Sequence, residues 1–330
     1  MGSFVRSVAV GLLAVALSQS SAFAQQVKLK LAHVAPPTSA FQTAAERMNT
    51  NLKVLSGGTM EIEIVPGGAL GSLVQLWAQL RLGTLDMHLI DIGAMTPMKE
   101  ARAFTVVLMP YVFRDQDHYR KFVTSDVFKE MMGVVEKDAG IKYLGYLGDR
   151  PPRALTTRNT AVRKVEDIKG LKIRTPEVAA ITETFKAFGA SPTPIKASEI
   201  YTALQTGLVD GQENGIIDVV AAGWVEVQKY YMPIDYQQSG MGVWMSGPKW
   251  ASLSDQQKGW VLEAAKRAGL DGRAAYEREL EDAIAQAKKK GMEFIVVDKS
   301  GFIKATESMV TEKEGTVWPK GLVERIKAIK

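Results

Sequence analysis

The 330-residue chain contains no cysteine and only three histidines. Disulfide staples, thiolate metal ligands and a cysteine nucleophile are therefore excluded, and stability must come from a packed core alone. His33, His88 and His118 stand far apart with no H-E-x-x-H spacing, so no metal site is expected. His118, set among charged residues, reads as exposed. There is no G-x-G-x-x-G or G-K-S/T run, which argues against nucleotide binding, and no G-x-S-x-G elbow, which argues against a serine hydrolase. No cofactor is expected. Neither charge sign dominates: 41 basic against 36 acidic residues give +5, and Lys288-Lys289-Lys290 is the only unbroken run of three like charges. That run falls at the end of an expected helix, where cations are favoured, so a nucleic-acid partner is not expected.

Long hydrophobic runs are also missing. The apolar stretch 8–17 falls short of the roughly 20 residues a membrane span needs. With Arg6 ahead of it and Ala22-Phe23-Ala24 behind, it has the layout of a cleaved signal peptide, residues 1–24, so the mature chain is expected to be soluble and exported. Hydrophobic side chains make up 46% of the sequence, enough over this length to fill two domains.

Alternating strands at 27–31 and 60–65, an apolar strand at 85–90, and helices at 40–55 and 72–82 give a βαβαβ start, hence a parallel sheet covered by helices. Asp91 stands at the end of the third strand, as a helix cap or as a pocket acceptor. Further on, the pattern predicts an apolar strand at 104–111, a helix running from Asp115 past His118 to Met132, and a strand at 141–147. An extended stretch is expected at 234–244, a very long helix from the cap Ser254 to about Lys290, and a late strand at 292–297. Gly269 and Gly272 are weak points of that long helix.

The chain is organised around 171–214. Leu171 and Ile173 alternate as a strand, Arg174 follows at its carboxyl end, and Pro176 opens a new element. Two further strand ends follow, the second running into Gln212, Glu213 and Asn214. An arginine at a strand's carboxyl end, facing a polar cluster on a neighbouring strand, is the geometry for gripping an anion in an α/β crevice, and its planar fork suits a carboxylate. Arg174 reads equally well as an ordinary surface or ion-paired arginine, and spacing alone leaves both readings open.

The runs E-D-I-K-G-L-K-I-R ending at Arg174, G-A-S-P at 189–192, S-E-I-Y-T-A-L-Q-T-G at 198–207 and D-G-Q-E-N at 210–214 resemble the signature of the substrate-binding subunits of tripartite ATP-independent periplasmic (TRAP) transporters, and the likeness extends over essentially the whole mature chain. The resemblance implies an α/β, two-domain periplasmic binding protein, type II-like, with a hinge and a long domain-spanning helix. Domain I would be 25–150 plus about 239–278, and domain II 151–238 plus about 279–330, with the ligand cleft between them. It implies a monomer in the periplasm that captures a small organic acid and hands it to the membrane permease subunits. Arg174 would hold the carboxylate, Arg153 would add charge, with Arg150 a near competitor, Asn214 would donate and accept, and Asp91 would accept from a hydroxyl. Trp244 matches an aromatic segment near the cleft, with a core tryptophan an equal reading, and Glu177 lies where relatives place a polar contact or is simply a first-turn helix acid.

Where relatives that take large sugar acids often carry an aromatic residue stands Ala197, and Ser72-Leu73 replace acidic residues. These departures favour a small organic acid over a sialic-acid-like ligand. The other readings are a binding protein of another transporter class or a receptor, and an exported enzyme acting on a carboxylic acid.

Overall fold

The structure is a computed structural model and describes residues 26–330, so the expected signal peptide lies outside the described residues. The chain opens with β1 (Val27–Ala32), α1 (Ala40–Leu55), β2 (Met60–Val65), α2 (Leu73–Leu82) and β3 (Met87–Asp91). Ser39 caps α1 through Gln42 N, and Gly83 ends α2 in the left-handed region at φ 77°, so both helices start and stop on their sequence signals. β1 pairs in parallel with β2 on one side and with β3 on the other, as the βαβαβ pattern requires.

From Lys99–Leu108 the chain winds into 3-10 turns where the sequence predicts a strand at 104–111. Burial explains the misreading: Phe104 is fully buried and meets Phe128 edge-on at 5.7 Å, and a short buried apolar run has no period that separates strand from helix. The helix expected through His118 is two helices, α3 (Gln116–Thr124) and α4 (Asp126–Ala139), divided at Ser125, whose hydroxyl accepts from Phe128 N. His118 is buried rather than exposed, because Nε2 donates to the Ile326 carbonyl at 2.9 Å while Nδ1 accepts from Arg114 N at 3.2 Å.

After β4 (Ile141–Arg150) come β5 (Ala154–Thr157), β6 (Lys172–Thr175), α5 (Ala179–Ala187), β7 (Ser191–Pro194), α6 (Ile200–Thr206), β8 (Gly211–Asn214), α7 (Ile216–Ala221) and β9 (Tyr230–Met232). β10 (Ser239–Ser246), α8 (Gly247–Ser252), α9 (Asp255–Lys289), β11 (Glu293–Phe294), α10 (Ser300–Lys313) and α11 (Leu322–Lys327) complete the chain. Among the described residues two sheets form, in the orders β2-β1-β3-β10-β4 and β11-β9-β5-β8-β6-β7. The chain leaves the first sheet after Arg150, enters the second at Ala154, and returns between Met232 and Ser239.

The 35-residue α9 is about 52 Å long at 1.5 Å per residue. Its first half lays Val261, Ala264, Ala265 and Ala268 on the core of the first sheet, and Ala283 and Ala287 join the cluster around Tyr231 and Met292 beside the second. The two glycines that weaken it on paper have a packing reason: a Cβ on Gly269 would collide with the Tyr146 carbonyl, and one on Gly272 would lie 2.8 Å from the Leu147 carbonyl. They let the helix backbone touch β4.

Candidate functional site

Between the two sheets lies a cavity of about 290 Å³. Its lining comes from the carboxyl ends of strands in both sheets, where an α/β architecture leaves its crevice: Asp91 ending β3, Arg150 ending β4, Arg174 on β6, Ile195 after β7 and Asn214 ending β8.

Arg174 is held in register by parallel pairing with Thr193 of β7 and Gln212 of β8, and it is 4% exposed. Its Nε and Nη2 donate to the single carbonyl oxygen of Ile195, at 2.9 and 2.7 Å. This occupies one edge of the guanidinium. The end-on edge formed by Nη1 and the second hydrogen of Nη2 has no acceptor among the described residues, and no carboxylate there forms an ion pair with it. Burial pushes its pKa down to about 10, with the neighbouring Arg153 charge adding to the fall and Glu213 and Glu177 opposing it. A desolvated cation with an open fork has a strong appetite for an anion.

The other two arginines are already paired with carboxylates, with Arg150 Nε left without a partner among the described residues. Arg153 grips Glu213 through Nε and Nη2, Glu213 is fully buried, and the Tyr236 hydroxyl donates to the same carboxylate at 2.7 Å. Arg150 donates Nη1 to Asp91 Oδ2 at 2.8 Å and Nη2 to Asp218 Oδ2 at 2.6 Å and Asn214 Oδ1 at 3.2 Å, with its guanidinium 5.0 Å above the Phe41 ring. Burial works against its charge, but Asp218 and Asp91 outweigh burial and the Arg153 charge, so its pKa rises. Arg150 thus bridges the two sheets, since Asp91 ends a strand of the first and Asp218 sits on α7 behind the second.

Both readings of Asp91 meet in one side chain: Oδ1 accepts from Gly93 N at 2.9 Å as a cap, and Oδ2 takes Arg150 on the cavity wall. The Asn214 amide is oriented by Gln212, to which Nδ2 donates at 2.7 Å, and by Arg150. Glu177 lines the cavity half-buried, with no ion pair among the described residues. Trp244 stands apart from these residues. It is fully buried in the first sheet's core, with its ring 5.1 Å from Trp77 and 5.4 Å from Tyr143, and the tryptophan on the cavity wall is Trp224. Phe41, Asp218, Trp224 and Gln237 also line the cavity and escaped the sequence reading. Only Asp218 left a signal, four residues past Asn214 and so one turn into the helix that follows the strand end.

A family model described as bacterial extracellular solute-binding protein, family 7 (DctP), matches residues 31–314. The chain belongs to this family. A TRAP periplasmic solute-binding protein from Bordetella, solved with density interpreted as pantoate, is 30% identical, superposes with a TM-score of 0.85, and is matched over 92% of this chain and 100% of that one. A TRAP binding protein of Polaromonas bound to D-erythronate is 26% identical at a TM-score of 0.85, over 92% and 99% of the two chains. A solute-binding protein of Roseobacter denitrificans is 29% identical over 306 residues, 93% of each chain. The DctP proteins bind substrates rather than transform them, and the two-sheet α/β architecture of this chain is theirs. Among the described residues of this DctP protein, no group of three or more His, Cys, Asp and Glu is placed to hold a metal ion, and no helix is long and apolar enough to cross a membrane.

Proposed function

We propose that this solute-binding protein works in the periplasm as a monomer, captures a small organic acid in the cleft between its two sheets, and delivers it to a TRAP membrane permease. The open edge of the buried Arg174 guanidinium carries this reading. A carboxylate on that edge gains two parallel charge-assisted hydrogen bonds and cancels an uncompensated buried charge. Arg153 and Arg150 act one step back: their carboxylate partners hold them as fixed positive surroundings, and Arg150 and Gln212 orient the Asn214 amide against the ligand. Glu177 closes the wall beside Arg174. The pantoate and D-erythronate of the two solved relatives are both hydroxy acids, which supports a carboxylate as the common handle.

Domain I, 25–150 plus about 239–278, and domain II, 151–238 plus about 279–330, would close on the ligand about the crossings at 151–153 and 233–238, with residues 1–24 removed on export. The ligand would leave unchanged, since among the described residues no serine of the cleft lining is hydrogen-bonded to a base. A thermal-shift screen of mono-, keto- and hydroxy-acids tests the reading. An acid at about 100 times its dissociation constant adds roughly 2.7 kcal/mol to the wild type, none to Arg174→Ala, and is recovered intact. A shift that survives in Arg174→Ala contradicts the clamp, and conversion of the acid contradicts the binding role.

A further inference from the structure

Resting on that carboxylate reading, we propose that the cleft is built for an acid with a hydrocarbon body, carrying no more than one or two polar groups besides its carboxylate, and that it rejects polyhydroxylated sugar acids.

A sugar acid brings several hydroxyls, and each one that loses water on entering the cleft must find a partner there. Most of the buried polar side chains of this cleft are engaged with one another. Arg150 joins Asp91, Asp218 and Asn214; Arg153 takes Glu213 and, through it, Tyr236; and Asn214 continues through Gln212 to Thr156. Ser39 is spent on the start of α1. What stays open among the buried groups, besides the free edge of Arg174, is Arg153 Nη1 and Arg150 Nε on the arginine side and the amide of Gln237, which lines the cavity at 4% exposure and has no side-chain partner among the described residues. An amide both donates and accepts, so it suits one hydroxyl, keto or amino group. The Trp224 indole on the same wall adds one donor.

The rest of the inner wall is hydrocarbon. Leu73 and Ile90 come from the first-sheet side, and Val178, Ile181 and Ile195 from the second, none more than 9% exposed, while Ala197 leaves room beside them. Of the polar lining that remains, Ser72 and Glu177 are half-buried, and Lys196 and Glu199 are exposed. Within about 290 Å³ a short branched or unsaturated chain fits these walls, and its burial is favourable where a hydroxyl's is not. A hydrophobic pocket rejects a single added hydroxyl by roughly 100-fold. Several hydroxyls compound that factor.

Isothermal titration calorimetry of the protein, freed of carried ligand by unfolding and refolding, tests the proposal. One arm is 4-methyl-2-oxopentanoate and 2-hydroxy-4-methylpentanoate; the other is D-galacturonate and D-erythronate. Each is run on wild type, Arg174→Ala and Ile181→Asn. The branched acids are expected to bind at least about 100-fold tighter than the sugar acids, to lose measurable binding in Arg174→Ala, and to see their advantage narrow in Ile181→Asn, which gives a hydroxyl a partner. If a sugar acid binds as tightly as the branched acids, and Arg174→Ala abolishes it, the hydrocarbon-body proposal falls and the carboxylate clamp stands. If neither arm binds, or Arg174→Ala binds as the wild type does, both fall.

Discussion

A buried arginine without a carboxylate is a costly residue to keep, and the three arginines of this cleft divide on that point. Arg150 and Arg153 are matched by acids inside the protein, whereas Arg174 has only the Ile195 carbonyl. The consequence is a split between stability and binding. Glu213→Ala strands the buried Arg153 and is expected to destabilise the unliganded protein by about 3–5 kcal/mol, read as a lower denaturation midpoint in urea. Arg174→Ala removes an unpaired charge and is expected to leave that midpoint unchanged or raised. A second buried group sets the acid response. His88 is fully buried, donates Nδ1 to the Ala32 carbonyl at 2.9 Å, and packs edge-on to Trp77 at 4.7 Å, and burial lowers its pKa from 6.5 to about 4. The unfolded chain therefore binds one more proton than the folded one between about pH 6.5 and 4, so stability falls as pH drops through that window. At about 1.4 kcal/mol per unit the loss from this group is roughly 3 kcal/mol. His88→Asn keeps a donor for Ala32 and removes the proton, so its stability profile should be flatter by one proton over that window.

At the scale of elements, α9 shows how a local weakness serves packing. Both glycines sit against β4 carbonyls, and Gly269→Ala, a favourable change in an isolated helix, is expected to destabilise the protein by about 1–3 kcal/mol because the Cβ meets backbone; urea denaturation measures it. Much of this level was legible beforehand. α1 and β2 match their expected bounds because caps, glycine stops and alternation all agree there, and the place of Arg174 near the carboxyl end of a strand was legible because strand end, proline and helix follow one another within a few residues. The stretch 104–110 reads as a strand because nearly all its residues are buried, which erases periodicity, and β11 shrinks to two residues because β9 alone offers it a pairing edge. Trp244 and Trp224 were indistinguishable in the sequence, since each lies in an apolar run and the tertiary fold alone decides which reaches the cavity. The pairings of Arg153 with Glu213 and of Arg150 with Asp218 were illegible for the same reason: they join residues 60 and 68 positions apart.

At the scale of the whole molecule, Arg150 joins the two halves beside the proposed ligand site. It shares its charge between Asp91 on one side and Asp218 and Asn214 on the other, and the Thr38 hydroxyl donates to the Ala221 carbonyl nearby. Under the proposed closure, these contacts would favour the closed arrangement, and a ligand's apparent affinity would scale with the fraction of molecules that are closed. Asp218→Ala, which leaves Arg174 untouched, is expected to weaken ligand binding by about tenfold, equivalent to about 1.4 kcal/mol, and to enlarge the unliganded protein in small-angle scattering. The central claim, that the free edge of Arg174 holds the ligand's carboxylate, is tested most directly by the dissociation constant of Arg174→Lys for the best-binding acid. Lysine keeps the charge and loses the planar fork. A loss of roughly 100-fold or more, equivalent to about 2.7 kcal/mol or more, with the unliganded protein as stable as wild type, is the predicted result. Affinity within about threefold of wild type would contradict the account.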